Sequence, residues 1–276
     1  EEANEEWEEV SRIGCRILND SLEAIAAQIN LPELPHPDAV PIVVFNPLNW
    51  ERSQLATVPF ELLSIEVLGV YDLTGEPVAY EQKFTGEWCF LAEGIPPVGY
   101  RLFWVHFWKA QIISKDVVQI PKLPRVSQWE TFFMENEFLR ATINPTTGDL
   151  DSVFDKTHQR EILSSGGNQL QAFEDAGQYW DAWNVDPNYA QHPLPATEFK
   201  MFFQHGKLHQ LLHIVRKIGN SKFHQNYILE SHSKVLRIET RVNWREQHVL
   251  VKAAFPLNLE ADFATYEIPC GAIQRT

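Results

Sequence analysis

Apolar residues near the start of the chain recur at intervals of three to five: Trp7, Val10, Ile13, Ile17, Leu22, Ile25 and Ile29. That spacing puts them on one stripe of a helix. Glutamates crowd the first turns, where the positive end of the helix dipole favours them. The pattern predicts a helix over residues 1–31, whose stripe has nothing to bury against unless other helices pack on it. A segment preceding residue 1 is therefore expected.

The segment PELPHPDAVP places four prolines in ten residues, and residues 32–40 are read as a stiff, Pro-rich linker. Beyond it the period changes from helical to strand-like. Short β-rich runs are predicted at 42–45, 54–58, 65–71, 78–84, 88–91 and 100–107, separated by turn signals such as Thr74-Gly75 and Pro97-Val98-Gly99. Strands at this spacing indicate a sandwich or barrel rather than βαβ units. A second break falls near Pro121 and Pro124, so residues 41–120 form a first β-domain and residues from about 126 onward a second. In the second, Phe138 to Ile143, the turn Pro145 to Gly148 and Leu150 to Asp155 make a hairpin. Two long strand pairs are predicted after it, 208–218 with 226–231 and 235–244 with 248–257. Between hairpin and pairs lies an aperiodic stretch, Gly166 to Pro195, rich in Gly, Asn, Asp, Pro and aromatics. A long irregular loop in a β-domain is usually functional. The last residues stop inside what reads as a strand and turn, so both ends are expected to be cut.

Composition narrows the functional classes. Hydrophobic residues at 44% and charged residues at 22% are ordinary for a globular protein. A net charge of −14 argues against nucleic acid, which draws on clustered Lys and Arg. No apolar run approaches a membrane span. Cys15, Cys89 and Cys270 are odd in number, far apart and without metal-type spacing, which suggests reduced thiols. Nine Trp residues fit core filling or stacking on sugar rings, and composition does not choose between them.

The richest chemistry lies in FEDAGQYWDAWNVDPNY, which gathers Glu174, Asp175, Asp181 and Asp186 with Tyr179, Trp180, Trp183 and Tyr189. Aromatic faces beside carboxylates suit a sugar, and paired carboxylates are the machinery of most glycosidases. Equally, the aromatics could pin the loop while the aspartates cap its turns. His205, His209 and His213 stand four apart, as zinc ligands do on a helix. The following Gly219-Asn220-Ser221 turn favours a strand instead, which spreads them over about 26 Å, too far for one ion. No Ser/His/Asp context, P-loop or GxGxxG is present, and Lys217 to Lys222 reads as a solvated turn.

IVVFNPLNWERS, NEFLRATINPTTGDLDSVFDK, GGNQLQAFEDAGQYWDAWNVD, VNWREQHVLVKAAFP and ATYEIPCGAIQR resemble successive landmarks of glycoside hydrolase family 38, in family order from about residue 42 to the end. The nearest resemblance is to the bacterial and vacuolar-type α-mannosidases. The family's architecture implies that residues 1–31 are the last helix of a truncated three-helix bundle. Residues 41–120 would then be a small β-sandwich, and 126–276 a larger sandwich similar to the galactose mutarotase-like supersandwich, truncated at its C-terminus. The expected class is thus mainly β, preceded by one N-terminal α-helix. The resemblance implies a retaining, zinc-dependent exo-α-mannosidase whose Asp nucleophile and zinc ligands lie in an upstream α/β domain, leaving no catalytic or metal-binding residue in this stretch. It implies substrate contacts from the loop, at Tyr179, Trp180, Asp181, Trp183 and Asp186, and from Arg275 in the terminal AIQR. Two departures stand out: Asn184 where relatives often carry Asp, which loses charge, and Ala176-Gly177 in place of the usual proline.

The expected partners are an α-mannoside oligosaccharide, the protein's own catalytic domain and helical bundle, and a second copy in a possible homo-oligomer. Neither nucleic acid nor membrane is expected, and a bacterial origin would make the protein cytoplasmic. A free-standing carbohydrate-binding module and a purely structural β-sandwich are the competing readings. Both would leave the amphipathic N-terminal helix without a purpose.

Overall fold

The N-terminal pattern does form a helix, α1 (Glu2–Ala26), which ends a few residues short of the predicted boundary. Its apolar stripe is not buried: Trp7, Val10, Ile17 and Ile25 are all exposed. The computed structural model describes residues 2–33, 36, 38–58, 65–83, 86–109, 132–177 and 183–276. The chain divides into two units, Glu1–Asp116 and Val117–Thr276.

In the first unit, β1 (Ala39–Asn46), β2 (Arg52–Thr57), β3 (Ile65–Tyr71), β4 (Tyr80–Gln82), β5 (Trp88–Ile95) and β6 (Gly99–Lys109) form two antiparallel three-stranded sheets, ordered β1-β6-β3 and β2-β5-β4. Side chains alternate across a strand, so Phe103 and Val105 of β6 face the core with Phe90 and Ala92 of β5. Phe90 and Phe103 meet with ring centroids 5.0 Å apart. Leu102 and Trp104 point the other way and are also buried, against Val43 and Tyr71. At Gly69 the β3–β6 register shifts by a bulge, and a Cβ there would lie 2.7 Å from the Tyr71 hydroxyl. Asn46 is buried and fastens the turns at one end, donating to Trp50 O at 2.7 Å, Ile95 O at 3.2 Å and Pro96 O at 3.0 Å.

The second unit begins with β7 (Phe132–Glu135), β8 (Leu139–Ile143), β9 (Leu150–Asp155) and β10 (Arg160–Glu161), in order β10-β9-β8-β7. The β8–β9 hairpin follows prediction. Its turn is built by Asn144, whose side-chain oxygen accepts from Thr146 N at 2.9 Å and Thr147 N at 3.1 Å, while Gly148 supplies a left-handed φ of 75°. Next come β11 (Gln169–Glu174), β12 (Pro193–Leu194), β13 (Ala196–His205), β14 (His209–Ile218), β15 (Ser221–Glu230), β16 (Leu236–Asn243), β17 (Val249–Ala254), β18 (Ala264–Ile268) and β19 (Gly271–Arg275). Strands β13-β14-β15-β16 form the largest sheet, β12-β11-β17 another, and β18-β19 a hairpin.

Two expectations are corrected here. The stretch from 166 to 195 is not uniformly irregular, because β11 lies within it and takes the centre of a sheet. Strands β16 and β17 do not pair: β16 joins β15, and β17 crosses to β11. The physical cause is visible at Glu246, between them. Its carboxylate accepts from Asn220 N at 2.5 Å, and Arg245 N donates to Ser221 Oγ at 2.8 Å, so this segment docks on the β14–β15 turn instead of reversing as a hairpin.

Leu212 and Ile214 of β14 and Leu229 of β15 are buried against Met134, Ala141 and Leu150 of the first sheet, which makes the unit a β-sandwich. The same inner face also carries Arg216, which is 3% exposed. Its guanidinium donates to Thr147 O at 3.1 Å, Asn168 O at 3.1 Å, Gln225 Oε1 at 2.7 Å and Asp149 Oδ1 at 3.0 Å. Tyr227 completes the cluster, donating to Gly148 O at 2.8 Å and accepting from Asn168 Nδ2 at 2.6 Å. Burial raises the Asp149 carboxyl above its ordinary value against the pull of Arg216, and burial likewise raises the Tyr227 phenol. Removing a guanidinium so enclosed leaves Asp149 and three carbonyl oxygens without their donor. Arg216→Ala is expected to cost about 3–5 kcal/mol in the urea unfolding of the second unit. A loss below about 1 kcal/mol would show that the cluster is incidental.

Candidate functional site

Strand β11 leads directly into the acidic, aromatic loop, and the loop's two ends are tied down. Glu174 N donates to His192 O at 2.9 Å and Asp175 N to His248 O at 2.8 Å, so the outgoing end is fixed beside the approaches to β12 and β17. Asp175 Oδ1 then accepts from Asp186 N at 2.8 Å, closing the loop across its base. Asp186 in turn accepts from Asn188 N at 2.8 Å, and its carbonyl accepts from Tyr189 N at 3.1 Å, leading into the 3-10 turn Tyr189–Gln191. The Tyr189 ring meets Phe173 edge-on at 5.1 Å, and Lys252 Nζ sits 4.8 Å from its centroid while donating to its hydroxyl at 2.5 Å.

Of the six expected substrate contacts, Tyr179, Trp180 and Asp181 lie outside the described residues. Trp183 is 86% exposed and Asp186 is half-buried in the same loop. Arg275 is on a different element, the exposed β18–β19 hairpin, where its guanidinium lies 5.9 Å from the Tyr266 ring centroid. Asp175 and Asp186 have the turn-forming contacts of a pinned loop, whereas Trp183 presents an indole to solvent. The two readings of this segment thus divide between its base and its tip.

The histidines at 205, 209 and 213 fall on strands, but not on one strand as expected: His205 closes β13, and a tight turn separates it from the other two on β14. His213 Nδ1 is 2.6 Å from Asn226 Oδ1 on the neighbouring strand, which absorbs its polar group within the sheet. A cavity of about 610 Å³ opens where the β15–β16 and β11–β17 faces diverge. Leu170, Phe223, Ile238, Val242, Val251 and Phe255 line most of it, and no described lining residue is a carboxylate or histidine. It is an open, mainly apolar hollow whose described lining lacks the groups for hydrolysis. A grouping that spacing did not reveal joins the linker to β6 in the first unit: ligand atoms of His36, Asp38 and His106 all lie within 4.8 Å of one another. No motif connects residues so far apart in sequence. Among the described residues no helix is long and apolar enough to cross a membrane.

The second unit is thus a β-sandwich that carries a tethered aromatic loop, in which Asp175 and Asp186 accept backbone N–H bonds at the turns. Comparison with known proteins places it. The profile described as Glycosyl hydrolases family 38 C-terminal domain matches residues 134–276, and the chain belongs to that family. Alpha-mannosidase 2C1 of Mus musculus is 25% identical over 284 residues, and that of Homo sapiens 27% identical over 286; each match covers all of this chain and 24% of the relative. Alpha-mannosidase G of Dictyostelium discoideum is 30% identical over 151 residues, covering 51% of this chain and 14% of the relative. The chain thus spans about a quarter of the length of the first two relatives. The crystal structure of an alpha-mannosidase from Enterococcus faecalis V583 shares the fold at 13% identity, with a TM-score of 0.63, covering 97% of this chain and 37% of that one.

The contrast between the pinned Asp175 and the exposed Trp183 is measurable. Trp183→Ala is expected to change unfolding stability by less than about 0.5 kcal/mol, as for surface positions generally. Asp175→Ala, which strips the acceptor closing the loop, is expected to cost about 1–2 kcal/mol. Equal effects in chemical denaturation would refute the division.

Proposed function

We propose that this chain is the β-region of a longer retaining, zinc-dependent α-mannosidase that removes terminal α-mannosyl residues from oligosaccharides. In this reading it supplies scaffold and substrate contacts and is inactive alone. The observation that carries the proposal is the family match over 134–276 in a chain spanning about a quarter of its α-mannosidase relatives. The contact groups are Tyr179, Trp180, Asp181, Trp183, Asp186 and Arg275. The Asp nucleophile and the zinc ligands belong to an α/β domain upstream, joined through a helical bundle that includes α1. The exposed stripe of α1 supports this, since Trp7, Val10, Ile17 and Ile25 need partners to be buried. The domain boundaries follow the same reading: bundle helix to residue 31, linker 32–40, small sandwich 41–120 and supersandwich from 126. A bacterial origin would place the host enzyme in the cytoplasm, and the enzyme can assemble as a homo-oligomer.

The chemistry agrees with inactivity in isolation. A retaining glycosidase places two carboxyl groups about 5–5.5 Å apart across the scissile bond. In the described part of the loop, Asp175 and Asp186 each accept a backbone N–H bond through Oδ1 at its turns, which fits contact with substrate better than the nucleophile and acid of such a pair. The loop tip then recognises sugar by stacking, and Arg275 offers donors to hydroxyl groups.

Purified as it stands, the chain is expected to turn over no aryl α-mannoside with or without added zinc; zinc-dependent hydrolysis by this chain would sink the proposal. In the longer enzyme, Asp181→Ala is expected to lower kcat/KM at least about tenfold, roughly 1.4 kcal/mol of transition-state binding. An unchanged value would assign the whole loop to structure. Saturable mannoside binding by the isolated chain, abolished by Trp183→Ala, would instead favour the carbohydrate-binding module.

A further inference from the structure

We infer that His36, Asp38 and His106 form a binding site for a first-row divalent cation, which would clip the Pro-rich linker to strand β6. His36 lies in the linker just before β1, and Ala39 N donates to its carbonyl oxygen at 3.0 Å, turning the chain so that Asp38 falls beside it. His106 is on β6 directly opposite Ala39 in the β1–β6 register. This turn and this pairing bring the two imidazoles face to face, with ring centroids 3.6 Å apart and planes inclined by 28°. Ligand atoms of all three side chains lie within 4.8 Å of one another.

Aromatic rings usually prefer offset or edge contacts to a near-parallel overlap at so short a distance. Two histidines and one carboxylate are, however, a familiar donor set for zinc-like cations, with the fourth position left to water. Tetrahedral coordination at about 2.0–2.1 Å places ligand atoms about 3.3 Å apart. The three groups therefore have only a short distance to close, and rotation of the exposed Asp38 and the half-buried imidazoles accomplishes it. The contact that must yield is a long one, the 3.3 Å donation from Asp38 N to His36 Nδ1. Oxygen-seeking cations such as magnesium or calcium are not served by a set two-thirds imidazole. Binding would tie the linker to the sheet by a cross-link of side chains, which closes a loop of chain.

The test uses the 276-residue chain stripped with a chelator, with zinc as the probe in equilibrium dialysis and cobalt as the spectroscopic substitute. The expected result is one zinc per chain, with affinity falling at least about tenfold in His36→Ala and in His106→Gln, and unchanged in a Cys15→Ser/Cys270→Ser variant. His36 lies outside every strand, so its variant keeps the fold, which far-UV circular dichroism checks. The cobalt adduct should show visible bands of nitrogen and oxygen ligation without thiolate charge transfer, and zinc should raise the melting temperature of wild type but not of His36→Ala. Absence of zinc uptake by the wild type would overturn the inference. So would uptake that survives in both folded histidine variants or disappears with the cysteines.

Discussion

A charge that cannot be neutralised sits inside the larger sandwich, and the second unit is arranged around it. An arginine keeps its proton at any pH a protein tolerates, so a guanidinium that is only 3% exposed must have its donors met by the protein. The partners of Arg216 come from separate places: the β8–β9 turn through Thr147 and Asp149, the entry to β11 through Asn168, and β15 through Gln225. Satisfying them fixes where the hairpin turn rests on the large sheet and where β11 begins. Because β11 is the central strand between β12 and β17, its position sets the base of the aromatic loop. Distance from the loop tip therefore does not make Arg216 irrelevant to it.

The division of labour proposed here follows from what each kind of structure holds well. A sandwich fixes strand ends against a packed interior but leaves the groups at its rim in contact with water. It can present an indole or a guanidinium at a set height, as Trp183 and Arg275 are presented. Carboxylates meant to exchange protons or form a covalent bond need partners that tune them. The described loop aspartates instead have backbone N–H groups that hold them to turns. Assigning recognition to this region and bond cleavage to another domain is consistent with that difference.

Local patterns were legible in the chain, and distant ones were not. The β8–β9 hairpin could be read because Asn144, Pro145 and Gly148 encode its turn within a few residues. The change of period after the prolines marked the passage from helix to strands for a similarly local reason. Pairing of β17 with β11 was invisible, since both β16 and β17 have plausible strand composition and the docking of Glu246 on the β14–β15 turn is a long-range contact. Strand β11 was hidden by its polar neighbours, Asn168, Gln169 and Gln171, although Asn168 serves the Arg216 cluster. An isolated Arg in an alternating strand gives no sign that it faces inward. At the loop, the sequence marked the aromatic and acidic residues but could not separate Asp186, which builds a turn, from Trp183, which faces solvent. The approach of His36 to His106 depends on the β1–β6 register, a property of the folded sheet alone.

The hydrogen bond between the Asp175 carboxylate and Asp186 N has a consequence for how this family can diversify. It joins the two ends of the segment from 175 to 186, so that covalent chain and one hydrogen bond together make a ring. Substitutions, insertions and deletions within that ring need not disturb the strands on either side, because loop-closure entropy grows only slowly with length. The tip can drift in sequence and acquire a new preference while the fold keeps its stability.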